Sequence, residues 1–543
     1  MEQHKNVREV DALIVGAGMG GIHTLRKLTA ELGLDALVID RATGIGGTWH
    51  WNRYPGVRSD TESPMYQLPF EVDLYKTTKW RRRYLMGTEI REYLEHAVDM
   101  WGLRDRIELD TAMIEARFDE DSGTWTVTTS RDTFRARFLV TALGVLSRKN
   151  LPDLPGIDQF RGRVLHTAAW PEDLDLTGKR IGVIGNGSTG VQFMAEAAKT
   201  VGHLTSFQRT PQYTVPAGDR EYSEAELEQF RGDPEAIWER WTEETVGFGL
   251  NETDRLFADS TPNEREEIFE AAWKHGGGFA FQKETFADLT SDRDANDAAA
   301  DFIKRKITSI VQDPETARKL TPTEVYARRP ICDSGYYEIF NQDNVELVSL
   351  RENPIERFTE AGIVTADGVE HELDLLVLAT GFDSNDGSYR GVSIVGRDGK
   401  RLLDHWGHQP KSLFGTAVHG FPNMFMIFGP LSPFINNPVG IGLHARWVAT
   451  TIKALGMQPG STIEATAEAE ADWVQACLTA MEGALFLETE SWLSGGNVPG
   501  KRTGNIAYWY TPGLKEYLQI ERNEVERGFP SFEVHVPSDA LQS

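Results

Sequence analysis

The sequence predicts an α/β protein with two Rossmann-like dinucleotide-binding domains and a helical insertion, and three observations carry that prediction. First, two segments each run strand, glycine loop, helix and returning strand: "DALIVGAGMGGIHTLRKLTAELGLDALVID", residues 11–40, and "KRIGVIGNGSTGVQFMAEAAKTVGHLTSFQRT", residues 179–210. Second, two further apolar strands, "FLVTALG" at 138–144 and "DLLVLATGFD" at 374–383, share one form, as expected where a chain crosses between two such domains. Third, between about 220 and 330 the pattern turns helical. "TPNEREEIFEAAW" offers Thr261 as a cap, Pro262 at the first helical position and Glu264 to close a capping box, and "DPETARKL" repeats the logic at Asp313 and Pro314.

With 543 residues the chain has room for about three domain-sized units. The expected layout is a first domain built from 1–145 and 381–543, with a mobile loop near 487–504. The second domain is built from 146–220 and 333–380, and the helical insertion covers 221–332. No repeat of solenoid period and no low-complexity tract interrupts this order.

The first loop has Gly16, Gly18 and Gly21 in GxGxxG spacing, which permits a tight turn and brings a pyrophosphate to a helix N-terminus. Asp40, 24 residues after Gly16, ends the returning strand where an acid accepts from a ribose hydroxyl pair. A structural turn with Asp40 as a strand cap is the competing reading. The second loop repeats the spacing at Gly185, Gly187 and Gly190, with Ser188 and Thr189 opening its helix. The same count of 24 from Gly185 reaches Arg209. An arginine cannot accept from a ribose hydroxyl but pairs with a 2′-phosphate, and Thr210 beside it adds a hydroxyl. A surface arginine at a strand end competes with this reading. An acid in one unit and an arginine in the other suggest FAD and NADPH in one chain. The flavin goes to the first site by analogy with other two-nucleotide flavoproteins.

Composition bounds the partners. A net charge of −26 argues against nucleic acid and anionic membranes, while leaving room for a local basic pocket. Two cysteines, Cys332 and Cys477, are too few for a disulfide framework. Neither a signal peptide nor an 18-residue apolar run is evident, so a soluble cytoplasmic protein is expected, a monomer or weak homo-oligomer with no metal site.

The stretch "FRGRVLHTAAWP", residues 160–171, belongs to neither loop. Phe160, Gly162, His166, Trp170 and Pro171 fill FxGxxxHxxxWP, the fingerprint of the type I Baeyer–Villiger monooxygenases. "GGTWHWNRYPGVRSD" (46–60), "YARRPICDSGYY" (326–337) and "SWLSGGNVPGKR" (491–502) extend the resemblance over nearly the whole chain, and it is closest to the cyclohexanone monooxygenase group.

The resemblance implies that a ketone, O2 and NADPH react on FAD, through a peroxyflavin and a tetrahedral adduct, to give an ester or lactone. It implies that Arg329 supplies the fixed cation for this chemistry and that Asp60 positions it. An arginine cannot donate a proton at working pH, so its role is electrostatic. Gly47, Thr48, Trp49, Asp60 and Tyr66 are implied on the flavin side. Arg328, where the family usually has a lysine, and Trp492, on a closing loop, are implied on the NADPH side. His166 lies 19 residues before Gly185, on the link between the domains, and reads as a coupling hinge before a general base.

The implied substrate pocket comprises Val145, Leu146, Phe248, Phe279, Phe434, Ile435, Asn437 and Ala507. "GPLSPFINNPVG" departs from the group's pattern at Ile435 and Asn437, and Ala507 replaces a common aromatic. Extra room for bulky cyclic ketones is the expectation drawn from Ala507. The competing functions are a related flavin monooxygenase that oxidises nitrogen or sulfur, and a flavin-binding protein without turnover. The absence of a CxxxxC pair after the first βαβ unit sets aside a disulfide reductase.

Overall fold

The computed structural model describes residues 7–456, 458, 460–501 and 506–536. Two separate sheets form its frame. The eight-stranded sheet is centred on the Val7–Val15 strand, which pairs parallel with Ala36–Ile39 on one side and Thr133–Thr141 on the other. The C-terminal half of Val7–Val15 is buried, as an unbroken apolar run in a parallel sheet requires when both faces are covered. Met424–Met426 and Ser393–Val395 also pair into this sheet, so the C-terminal part of the chain returns to it.

The second sheet has five parallel strands, in the order Arg163–His166, Leu375–Leu378, Arg180–Ile184, His203–Gln208 and Val345–Ser349. Apolar clusters cover both faces of each sheet. Where the chain passes between the sheets, Arg148–Lys149 and Phe382–Asp383 pair antiparallel, so the two crossings run side by side.

Six helices, from Glu224–Gly232 to Pro314–Leu320, fill the region expected to be helical. Thr261 and Glu264 close the expected capping box, and Asp313 caps Pro314–Leu320. The Thr214–Pro216 and Ile331–Asp333 strands pair parallel at the base of this region and hold its ends together. A three-stranded antiparallel sheet, from Ile355–Phe358 to Glu370–Glu372, was not expected from the sequence. Among the described residues no helix is long and apolar enough to cross a membrane.

Candidate active site

Each glycine loop is shaped by close backbone approach. Gly16 has φ +118°, and a Cβ there would lie 2.3 Å from the Ala142 carbonyl oxygen; a Cβ on Gly21 would lie 1.7 Å from the Gly16 oxygen. The second loop repeats this at Gly185 (φ +106°), 2.3 Å from the Ala379 oxygen, and at Gly190, 2.1 Å from the Gly185 oxygen. Gly187 differs, because a Cβ there would meet nothing within 4 Å. Its bare backbone faces open space at the start of the Ser188–Ala197 helix, which has no side-chain cap. The Met19–Leu32 helix also begins without a side-chain cap. Both helix ends therefore keep backbone donors for a pyrophosphate, and the residues present fit two dinucleotides.

Asp40 does more than sequence reasoning foresaw. Its two carboxylate oxygens accept the backbone N–H groups of Ala17 (2.6 Å) and Ala42 (2.8 Å), fastening the glycine loop to the strand end. Carboxylate lone pairs remain for a ribose. The "GGTW" turn sits against this loop, with a Cβ on Gly18 only 3.4 Å from the Gly47 Cα. Thr48 opens a short helix, and Trp49 meets Tyr66 edge-on at 5.6 Å.

Asp60 lies on the short Arg58–Glu62 strand beyond that turn, and Arg329 stands two residues before Ile331–Asp333. The sheet arrangement brings them together from 269 residues apart. The guanidinium donates from Nη2 to Asp60 Oδ1 at 2.7 Å and from Nη1 to Oδ2, a fork-on-fork pair. Phe279 faces the same guanidinium at 5.1 Å and stacks on Phe248 at 4.1 Å. Burial alone depresses the pKa of Arg329, but the Asp60 carboxylate outweighs it and raises the net value, so the cation is permanent. Burial pushes the neighbouring Cys332 thiol up to about 12, which makes it a packed thiol and not a nucleophile.

The fingerprint contributes the edge strand of the second sheet. His166 ends the edge strand Arg163–His166 instead of lying on a free link, because this strand pairs in register with Leu375–Leu378. The Phe160 ring covers Gly162, where a Cβ would lie 2.2 Å from it, so the glycine makes room for the aromatic. Trp170 packs on Phe193 of the second-loop helix at 5.2 Å. The His166 Nδ1 accepts the Ala168 N–H, which leaves Nε2 to donate to the Gly381 carbonyl at 3.1 Å. Its ring also meets Phe382 edge-on. Burial pushes its pKa down to about 4, so His166 is neutral at working pH, held against the interdomain crossing by a hydrogen bond.

The Trp492 loop is stitched to that same crossing. Ser384 donates to the Trp492 carbonyl at 2.7 Å, and Asn497 donates to the Phe382 carbonyl at 2.8 Å. The side chain of Lys501, only 3% exposed, pairs with Asp383 at 2.6 Å and Asp386 at 2.7 Å. Residues 502–504 of the expected mobile loop lie outside the described residues.

Comparison with known proteins places this geometry. Residues 9–215 match the family described as flavin-binding monooxygenase-like. The chain is 45% identical to a phenazine N-monooxygenase from Lysobacter antibioticus, over 97% of both chains. It is 44% identical to a Baeyer–Villiger monooxygenase from Pseudooceanicola batsensis, over 96% of both. It superposes on cyclohexanone monooxygenase from a Rhodococcus bound to NADP+ with a TM-score of 0.96 and 45% identity, covering 98% of this chain and all of that one. The chain belongs to the type I Baeyer–Villiger monooxygenases. It is a flavin-dependent monooxygenase whose cofactors are FAD and NADPH.

In this monooxygenase Val145 and Ile435 share one buried apolar cluster, and Leu146, Phe434 and Trp492 pack against it. Phe248 and Phe279 form a separate cluster beneath Arg329. Two residues of the expected pocket, Ala507 and Asn437, stand outside these two clusters. Ala507 is fully buried in the core beside the first sheet, with its N–H and carbonyl both bonded to the Gln409 side chain. Its neighbours Ile506 and Tyr508 belong to the aromatic cluster instead. Asn437 stands exposed at the first turn of the Asn437–Leu455 helix and does not join the cluster.

On the NADPH side, Arg209 is largely exposed, 3.8 Å from Glu490, and Arg328 pairs with Glu324. Sequence reasoning missed Lys501, Asp383 and Glu244. Glu244 is 6% exposed and accepts the Gly249 N–H at 2.8 Å, bracing the turn that carries Phe248. Flanked by Glu243 and Thr245, Glu244 carries no local signal of a buried carboxyl.

Proposed function

We propose that this monooxygenase inserts one atom of O2 beside the carbonyl of a cyclic ketone to give a lactone. The observation that carries the reading is the Arg329–Asp60 fork, set over Phe279. Bound FAD, reduced by NADPH, supplies the activated oxygen. Arg329 holds the negative charge that develops on the reacting oxygens, in a pocket where apolar walls strengthen the interaction. Asp60 fixes the plane and direction of the fork, so the cation needs no reorientation as charge appears. Neither residue transfers a proton. Ser188, Thr189, Arg209, Thr210 and Arg328 hold NADPH around the second loop, and Trp492 closes over the bound pair. His166 transmits the position of the second domain to the crossing through Gly381.

Identity to a phenazine N-monooxygenase favours a second reading, oxidation at an aromatic nitrogen. A panel of cyclic ketones, sulfides and phenazines separates the two. NADPH consumption that rises with ketones, together with recovered lactone, supports the proposal. N-oxide as the main product, with ketones returned unchanged, replaces it with the second reading.

A further inference from the structure

We infer that Arg351 is a third cation of the site that receives the NADPH 2′-phosphate, and that Glu324 is the built-in counter-anion which the phosphate displaces. The inference rests on reading Arg209, Thr210 and Arg328 as that phosphate site.

Sheet register carries it. Val345–Ser349 pairs parallel with His203–Gln208, with Ser349 opposite Gln208, and the Leu350 N–H donates to the Gln208 carbonyl at 2.8 Å. The two strands therefore release their chains side by side, Arg209 and Thr210 from one and Arg351 from the other. Arg351 Nη2 lies 3.2 Å from the Thr210 hydroxyl oxygen and 3.2 Å from Glu324 Oε1. The other oxygen of Glu324 pairs with Arg328. One carboxylate thus bridges two guanidinium groups beside a threonine hydroxyl, and a phosphate uses the same set of donors.

Burial is graded across the group. The side chains of Arg328, Glu324 and Arg351 are 20%, 30% and 48% exposed, so Arg328 forms the wall and Arg351 the mouth. Arg209 stands at the rim, opposite Glu490. The cleft lined by Glu324 and Arg328 continues to Arg329. Burial lowers the pKa of Arg328 and nearby Arg209 lowers it further, while Glu324 acts against both. The cations are crowded, and Glu324 relieves that crowding until another anion takes its place.

The test uses the full-length, FAD-loaded protein, with 2′,5′-ADP and ADP as calorimetric probes. Wild type should bind 2′,5′-ADP more tightly than ADP. Arg351→Ala should weaken 2′,5′-ADP about tenfold and leave ADP within about twofold, and Arg351→Lys should restore most of the loss. Glu324→Gln should tighten 2′,5′-ADP several-fold and steepen its dependence on salt, since the site then presents more uncompensated positive charge. Unchanged 2′,5′-ADP affinity in Arg351→Ala, or equal losses for both probes, overturns the role of Arg351. Weaker 2′,5′-ADP binding in Glu324→Gln overturns the counter-anion. A wild type that does not distinguish the probes, or an Arg209→Ala variant that loses no 2′,5′-ADP affinity, removes the underlying phosphate-site reading instead.

Discussion

Replacing Asp60 by asparagine keeps the shape of the fork's partner and removes its charge, leaving the Arg329 guanidinium without a counter-charge. Removing one partner of a fully buried ion pair costs about 3–5 kcal/mol. The side chains of Arg329 and Asp60 retain 23% and 13% exposure, which places this pair at the lower end of that range. A loss of about 3 kcal/mol corresponds to a fall of about 6–12 °C in melting temperature for a domain of ordinary size. Activity should fall further than stability suggests, because a cation free to turn no longer meets the developing charge. Losing one such preorganised donor costs about a hundredfold or more in kcat. Thermal unfolding followed by flavin fluorescence, and lactone formed per NADPH consumed, provide the two readouts. The Asp60→Asn/Arg329→Ala double variant should melt above Asp60→Asn alone, since it leaves no orphaned charge. Melting within about 1 °C of wild type, with wild-type coupling, would refute this reasoning.

The two loops predict a contrast between neighbouring glycines. Gly190→Ala clashes with the Gly185 oxygen and should destabilise the protein even without nucleotide, whereas Gly187→Ala should fold normally and lose NADP+ affinity, as melting and calorimetry would show. His166→Ala should retain FAD but uncouple NADPH oxidation from product, and unchanged coupling with lost FAD would contradict its role at the crossing. Glu244 carries a pH signature: burial holds its carboxyl up to about 7 against an ordinary 4.5. Between those values the folded chain keeps a proton that the unfolded chain has released, so this group's contribution to stability falls as pH rises through the window and is constant above it. Glu244→Gln should therefore gain about 3 kcal/mol over wild type at pH 8 and lose that slope, measured by urea unfolding across pH.

The parts legible in the sequence are those set by local pattern. Glycine spacing, strand flanks and helix caps at Thr261 and Asp313 depend on residues a few positions apart, and the structure repeats them. Asp40 and Arg209 could be told apart by counting from a glycine. What escaped depends on pairing between distant segments. The Val345–Ser349 strand is only partly buried and shows no clear alternation, so Arg351 could not be placed beside Thr210. Lys501 and Asp383 are separated by 118 residues and meet only because the crossing runs beside the Trp492 loop. Ala507 shows the same limit: resemblance marks it as unusual, but its hydrogen bonds to the Gln409 side chain, 98 residues away, depend on the fold.

Isotopically labelled O2 tests the central claim most directly. Wild-type enzyme supplied with FAD, NADPH, a cyclic ketone and labelled dioxygen should yield a lactone carrying one labelled oxygen in its ring. Arg329→Ala should consume NADPH and release labelled hydrogen peroxide, with the ketone recovered. Labelled lactone from Arg329→Ala at the wild-type rate would contradict the assignment of the chemistry to this fork.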